Sequence, residues 1–145
     1  MTIASTPTGR RPAWRRWLRL LVPAAVCYFG VTVLFLFLEN FLLFHPIRAD
    51  QDWQSPPSTN VRNVELHTAD GVRIHGWWCP QEGATGAVLY SHGNAGNLSH
   101  RGPGIRHWQE HFGESVLIFD YPGYGKSAGK PSEAGCYAAA DAAYD

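Results

Sequence analysis

The 145-residue sequence implies an α/β domain joined to one membrane-spanning helix. Leu20 to Leu38 is a run of 19 residues without a charge. Further on, two short apolar runs, Gly86–Tyr90 and Val116–Tyr121, bracket a stripe of Ile105, Trp108 and Phe112 at helical spacing. Strand, loop, helix, strand in that order is the signature of a parallel sheet with helices packed on it.

At about 1.5 Å per residue the uncharged run spans roughly 28 Å, close to the roughly 30 Å of a bilayer's hydrocarbon core. Arg10, Arg11, Arg15, Arg16 and Arg19 precede it with no acidic residue among them, and Trp14 and Trp17 stand where an interfacial aromatic belt belongs. The excess of arginine places residues 1–19 in the cytoplasm and residues 39–145 on the other side. A cleavable signal peptide shares the basic start, but its apolar region is about 7 to 15 residues long and ends in small side chains. Here Phe41-Leu42-Leu43-Phe44 follows, so a signal anchor over residues 20–38 is expected. Pro23 is tolerable in such a helix because neighbouring groups satisfy the freed carbonyl.

Residues 39–60 carry Pro46, Pro56, Pro57, Asp50 and Asp52 and read as a linker. From residue 61 the pattern changes. Val64 and Leu66 alternate with polar residues, Ala69-Asp70-Gly71 is a turn, and Val72 and Ile74 alternate again, which predicts an antiparallel hairpin. The consecutive apolar positions Val88–Tyr90 and Val116–Phe119 predict parallel strands covered on both faces. Pro103 suits the first turn of the intervening helix and Gly113 its end. Ser132, with Glu133 in the first turn, is a good cap for a last helix running through Tyr137 to Tyr144.

The overall charge is zero, yet residues 39–145 hold 7 basic and 12 acidic residues, a net of −5. No basic face exists there for nucleic acid. Cys27, Cys79 and Cys136 show no metal spacing, and a Cys79–Cys136 disulfide is an open alternative to two ordinary apolar thiols.

The most informative stretch is His92-Gly93-Asn94-Ala95-Gly96-Asn97, directly after an apolar strand. Glycines and asparagines let backbone N–H groups turn toward a bound anion, so the N–H of Asn94, or of Ala95, is a candidate oxyanion donor. A tight strand-to-helix turn in any doubly wound protein is the plainer reading of the loop taken alone. His92, Gly93, Gly96 and Asn97 shape it. In the second exit, Asp120-Tyr121-Pro122-Gly123-Tyr124-Gly125-Lys126-Ser127, Gly123 and Gly125 permit a sharp turn and Asp120 is placed to accept loop amides.

Three motif matches nearby are disfavoured. Gly125-Lys126-Ser127-Ala128-Gly129 has the spacing of a nucleophile elbow, but an elbow leads straight into a helix and Gly129-Lys130-Pro131 prevents one. A phosphate-binding loop ending at Gly125-Lys126-Ser127 needs a glycine where Asp120 stands. His107, Glu110 and His111 match a zinc-peptidase pattern on a helix, but Trp108 and Phe112 claim the buried face and no third ligand is identifiable.

The segments Tyr90–Arg101, Phe119–Ser127 and Lys130–Tyr137 together resemble the α/β-hydrolase superfamily, and within it the membrane-anchored bud-emergence-type proteins, over residues 61–145. Pro122 departs from that pattern, standing where an arginine is frequent. The resemblance implies the N-terminal half of an α/β-hydrolase sheet, hairpin first and then parallel strands with helices. It further implies a serine hydrolase of ester, thioester or amide bonds with a Ser, Asp, His triad, needing neither cofactor nor metal. None of the triad is expected within these residues, Asp141 and Asp145 being helix positions. The nucleophile is expected roughly 15 to 30 residues past Asp145, and the 145 residues alone are expected to be an inactive fragment. A non-catalytic, membrane-tethered binding protein on the same scaffold is the alternative.

Overall fold

A computed structural model describes residues 14–145, and the first basic residues, Arg10 and Arg11, lie outside the described residues, as do the side chains of Trp14, Arg15 and Arg16. The chain divides into two units after Glu39. The first is made by helix α1, Trp14–Leu43, which reaches into the second unit with its last turn. Arg19–Leu43, 25 residues, is long and apolar enough to cross a membrane. Its apolar character thus extends past Leu38, with Phe37 and Phe41 about four-fifths exposed at 83 % and 78 %.

The second unit contains strands β1 (His45–Pro46), β2 (Arg62–His67), β3 (Arg73–Cys79), β4 (Ala87–Ser91), β5 (Ala95–Gly96) and β6 (Ser115–Phe119). Helix α2 (Gly102–Phe112) follows β5 after one 3₁₀ turn, Leu98–Arg101, and α3 (Glu133–Tyr144) comes last. The hairpin β2–β3 is antiparallel, with Leu66 opposite Ile74, and β4 runs parallel to β6 with Tyr90 opposite Ile118. The strand order β2-β3-β6-β4 makes β6 central. Its side chains divide between two helical layers. Val116 and Ile118 pack with Trp77, Leu98 and Ile105 on the α2 side, while Phe119 packs with Ile74 and Ala139 on the α3 side.

Helix ends follow the capping rules. The Ser132 hydroxyl accepts the Gly135 N–H at 3.0 Å, and Gly113, left-handed at φ 67°, closes α2 with its N–H on the Gln109 carbonyl. Cys79 and Cys136 are free thiols, one in the core and one on α3. Strand β4 differs from its expected cover on both faces: it is the sheet's edge among the described residues, and Leu89 and Ser91 are exposed.

Residues 44–54, expected to be linker, are hydrogen-bonded onto the domain. Strand β1 pairs in parallel with β5, the Ile47 N–H reaches the Gly96 carbonyl at 3.0 Å, and Ala49 and Gly125 pair at 2.9 Å. Trp53 then lies edge-on to Trp77 with ring centroids 5.5 Å apart. Pro46 lies in β1 itself and Asp50 in the turn that follows, and the strap's backbone groups find partners on the two strand exits.

Ile118 is fully buried at the centre of the sheet. Ile118→Ala is expected to destabilise the domain by about 2–5 kcal/mol, read as a lowered urea midpoint with an unchanged slope.

Candidate functional site

The exits of β4 and β6 lie side by side because the strands are parallel neighbours, with Ser91 opposite Phe119. Asp120, the first residue past β6, is fully buried and its Oδ1 accepts the Leu98 N–H at 2.8 Å. His92 Nε2 stands 3.3 Å from the same oxygen, and His75 Nδ1 is 4.0 Å from Oδ2. The buried Ser127 hydroxyl donates to the Asp120 carbonyl at 3.2 Å and accepts the His75 N–H at 2.9 Å. It is committed inside a turn, and the next helix begins only at Glu133.

The loop after β4 has each of four successive carbonyls held. Tyr121 Oη donates to the His92 carbonyl at 2.6 Å, and His92 Nδ1 lies 2.7 Å from the Gly93 carbonyl, which requires its proton on that nitrogen. The Asn94 carbonyl accepts both Tyr124 Oη at 2.7 Å and the His45 N–H at 2.9 Å. Arg101 holds the Ala95 carbonyl. In a trans peptide the C=O and the following N–H point in opposite directions. The N–H groups of Gly93, Asn94 and Ala95 therefore point away from the side chains that hold the carbonyls of His92, Gly93 and Asn94. Among the described residues those of Asn94 and Ala95 have no acceptor, and residues 93–95 are exposed while His92, Gly96 and Asn97 behind them are buried.

The remaining loop residues fix this arrangement. Asn97 caps the 3₁₀ turn by accepting the Ser99 N–H at 3.0 Å, and its amide donates to the Ile47 and Asp52 carbonyls at 3.0 and 2.9 Å. Gly96, at φ 82°, has no room for a Cβ, which would sit 2.6 Å from His100 Nδ1. Gly93 is exposed with open space around it. The Gly123 N–H donates to the Ala128 carbonyl at 2.8 Å. At Gly125, φ 46°, a Cβ would run into the Asp120 carboxylate. The Asn94 side chain donates to the Leu43 carbonyl at 2.7 Å, capping the C-terminus of α1.

On α2, His107 and His111 bring their rings to 4.2 Å, but His111 Nδ1 lies 3.1 Å from the His107 carbonyl. Among the described residues no three His, Cys, Asp or Glu side chains are grouped to hold a metal.

No family model matches the chain. It is 33 % identical over 124 residues to the α/β hydrolase domain-containing protein WAV2 of Arabidopsis thaliana, covering 80 % of this chain and 40 % of that one. It is 41 % identical over 75 residues to protein bem46 of Schizosaccharomyces pombe, covering 50 % and 25 %. The structure superposes on the Pyrococcus furiosus esterase Pf2001 with a TM-score of 0.56 at 27 % identity, over 70 % of this chain and 40 % of the esterase. The chain belongs to the α/β-hydrolase superfamily. Within it, the similarity to bem46 sets the chain with the bud-emergence-type proteins. The chain spans less than half the length of these relatives.

Tyr121, Tyr124, Arg101 and His45 were not assigned roles from the sequence. Each acts on the loop from 6 or more residues away, and the one local signal was the repeat of tyrosines flanking Pro122-Gly123.

Burial lowers the His75 pKa from 6.5 to about 4, with Asp120 pulling it the other way. The unfolded chain therefore binds a proton near pH 6.5 that the folded domain refuses until about pH 4. Stability that is full above pH 6.5 falls as the pH drops through this window, by on the order of 3 kcal/mol. Urea midpoints from pH 7 to 4 check this, with His75→Gln expected to flatten the slope. Gly125→Ala, strained in its backbone and clashing with Asp120, is expected to cost about 1–3 kcal/mol in the same assay.

Proposed function

We propose that residues 61–145 form the N-terminal part of the catalytic domain of a membrane-anchored serine hydrolase acting on ester, thioester or amide bonds, with Asn94 or Ala95 as one oxyanion donor. The observation that carries this is the loop after β4, whose carbonyls are held inward and whose N–H groups of Asn94 and Ala95 lie free on the exposed side. Membership of the superfamily and the likeness to an esterase support a hydrolytic use of that loop.

In this reading a serine from outside these 145 residues attacks the acyl carbonyl carbon while a histidine takes its proton. The carbonyl oxygen becomes an oxyanion and accepts hydrogen bonds from the β4 loop and from the N–H after the serine. Collapse of the tetrahedral intermediate expels the alcohol, thiol or amine with the proton held by the histidine, and water then releases the acid. Asp120, His92, Gly93, Gly96, Asn97, Gly123 and Gly125 act on the chemistry only by fixing the loop.

Helix α1 is the anchor in this reading, with residues 1–19 cytoplasmic, residues 20–38 in the bilayer and the hydrolase part on the far side. Its length and composition support this, as does the cluster of arginines before it.

The test uses the full-length protein in detergent. A fluorophosphonate is expected to label one serine, and p-nitrophenyl esters are expected to turn over. Ala95→Pro, which removes one N–H, is expected to lower kcat by about 10²-fold in folded protein, whereas Ala95→Gly keeps it within a few-fold. Absence of both label and turnover in the wild type would leave a tethered binding scaffold.

A further inference from the structure

The Asn94 carbonyl has two donors that come from different parts of the chain. The His45 N–H approaches from the strap at 2.9 Å and Tyr124 Oη from the β6 exit at 2.7 Å. One donor fixes the direction of a carbonyl but leaves its peptide plane free to swing about that direction. A second donor on the other lone pair fixes the plane, and with it the N–H on the opposite side, which belongs to Ala95.

Tyr124 is built for this task. Its side chain is fully buried, its ring lies 5.6 Å from that of His92 and 5.7 Å from that of Tyr121, and its backbone is pinned by its own N–H on the Tyr121 carbonyl at 3.0 Å. Burial pushes its pKa up to about 12, so the hydroxyl keeps its proton throughout the working range of a hydrolase. The next residue, Gly125, is bridged to Arg48 of the strap, so the two donors to Asn94 are tied to each other as well.

Resting on the reading of this loop as an oxyanion site, we propose that Tyr124 is a positioning residue that aims the Ala95 N–H at the developing oxyanion. It touches neither substrate nor reacting atoms. Its effect belongs to the transition state, because an N–H swung off line is lost mainly to the oxyanion and much less to the ground-state carbonyl.

Tyr124→Phe in the full-length protein removes the hydroxyl and keeps the ring. The expected result is a kcat about tenfold lower with KM within about twofold, and a matching loss of affinity for a boronic acid that mimics the tetrahedral state. Ile105→Val, a buried change in α2 rather than in the loop, serves as a destabilised control and is expected to keep its kcat. A Tyr124→Phe kcat within twofold of wild type overturns the proposal, as does an equal loss in Ile105→Val. Wild-type protein that neither labels with fluorophosphonate nor turns over ester overturns the hydrolase reading and this one together. Labelled, active wild type with an unchanged Tyr124→Phe variant overturns this one alone.

Discussion

Asp120 is the constraint around which the two strand exits are arranged. A carboxylate with no exposed surface is costly to bury, and it is tolerated only where donors meet it. The Leu98 N–H supplies one, at the start of the 3₁₀ turn, so the loop after β4 is drawn onto the loop after β6. The His92 and His75 rings stand beside it at 3.3 and 4.0 Å without donating to it, His92 carrying its proton on Nδ1 and His75 on Nε2, 2.9 Å from Asn63 Oδ1. The shape of the β6 exit follows, since the chain must pass the carboxylate at Gly125 with no side chain.

With both exits fixed, the strap of residues 44–54 closes over them. Asn97 is its main attachment, buried and donating to two strap carbonyls while accepting from the Ser99 N–H and hydroxyl. Asn94 makes the corresponding link to the end of α1 through the Leu43 carbonyl, a helix-terminal acceptor with no intrahelical partner. One short loop therefore joins the apolar helix's last turn, the strap and both strand exits, and the same contacts that hold it turn its amides outward.

Much of the fold was legible because its causes are local. Val64, Leu66, Val72 and Ile74 alternate at the strand period, so the hairpin was readable, and the Pro103, Gly113 and Ser132 signals act within a turn of their own helices. The exposed face of β4 was not readable, because apolar residues at consecutive positions do not say which strand lies at an edge. The strap was misread for a related reason: proline and aspartate report only that a segment is irregular, and the partners of its backbone on the domain lie 45 to 78 residues away.

The sequence by itself determined the order of elements, the uncharged helix, the acidic balance beyond it and the residue types of the two exit loops, all of which follow from periodicity and local chemistry. It singled out His92–Asn97 as a loop able to present amides, since glycine and asparagine are what such a backbone requires. Only the tertiary structure decided which way those amides face. That direction is set by hydroxyls and a strand N–H arriving from about 30 and 50 residues away, and the geometry of such meetings depends on strand register and burial, which no local pattern encodes.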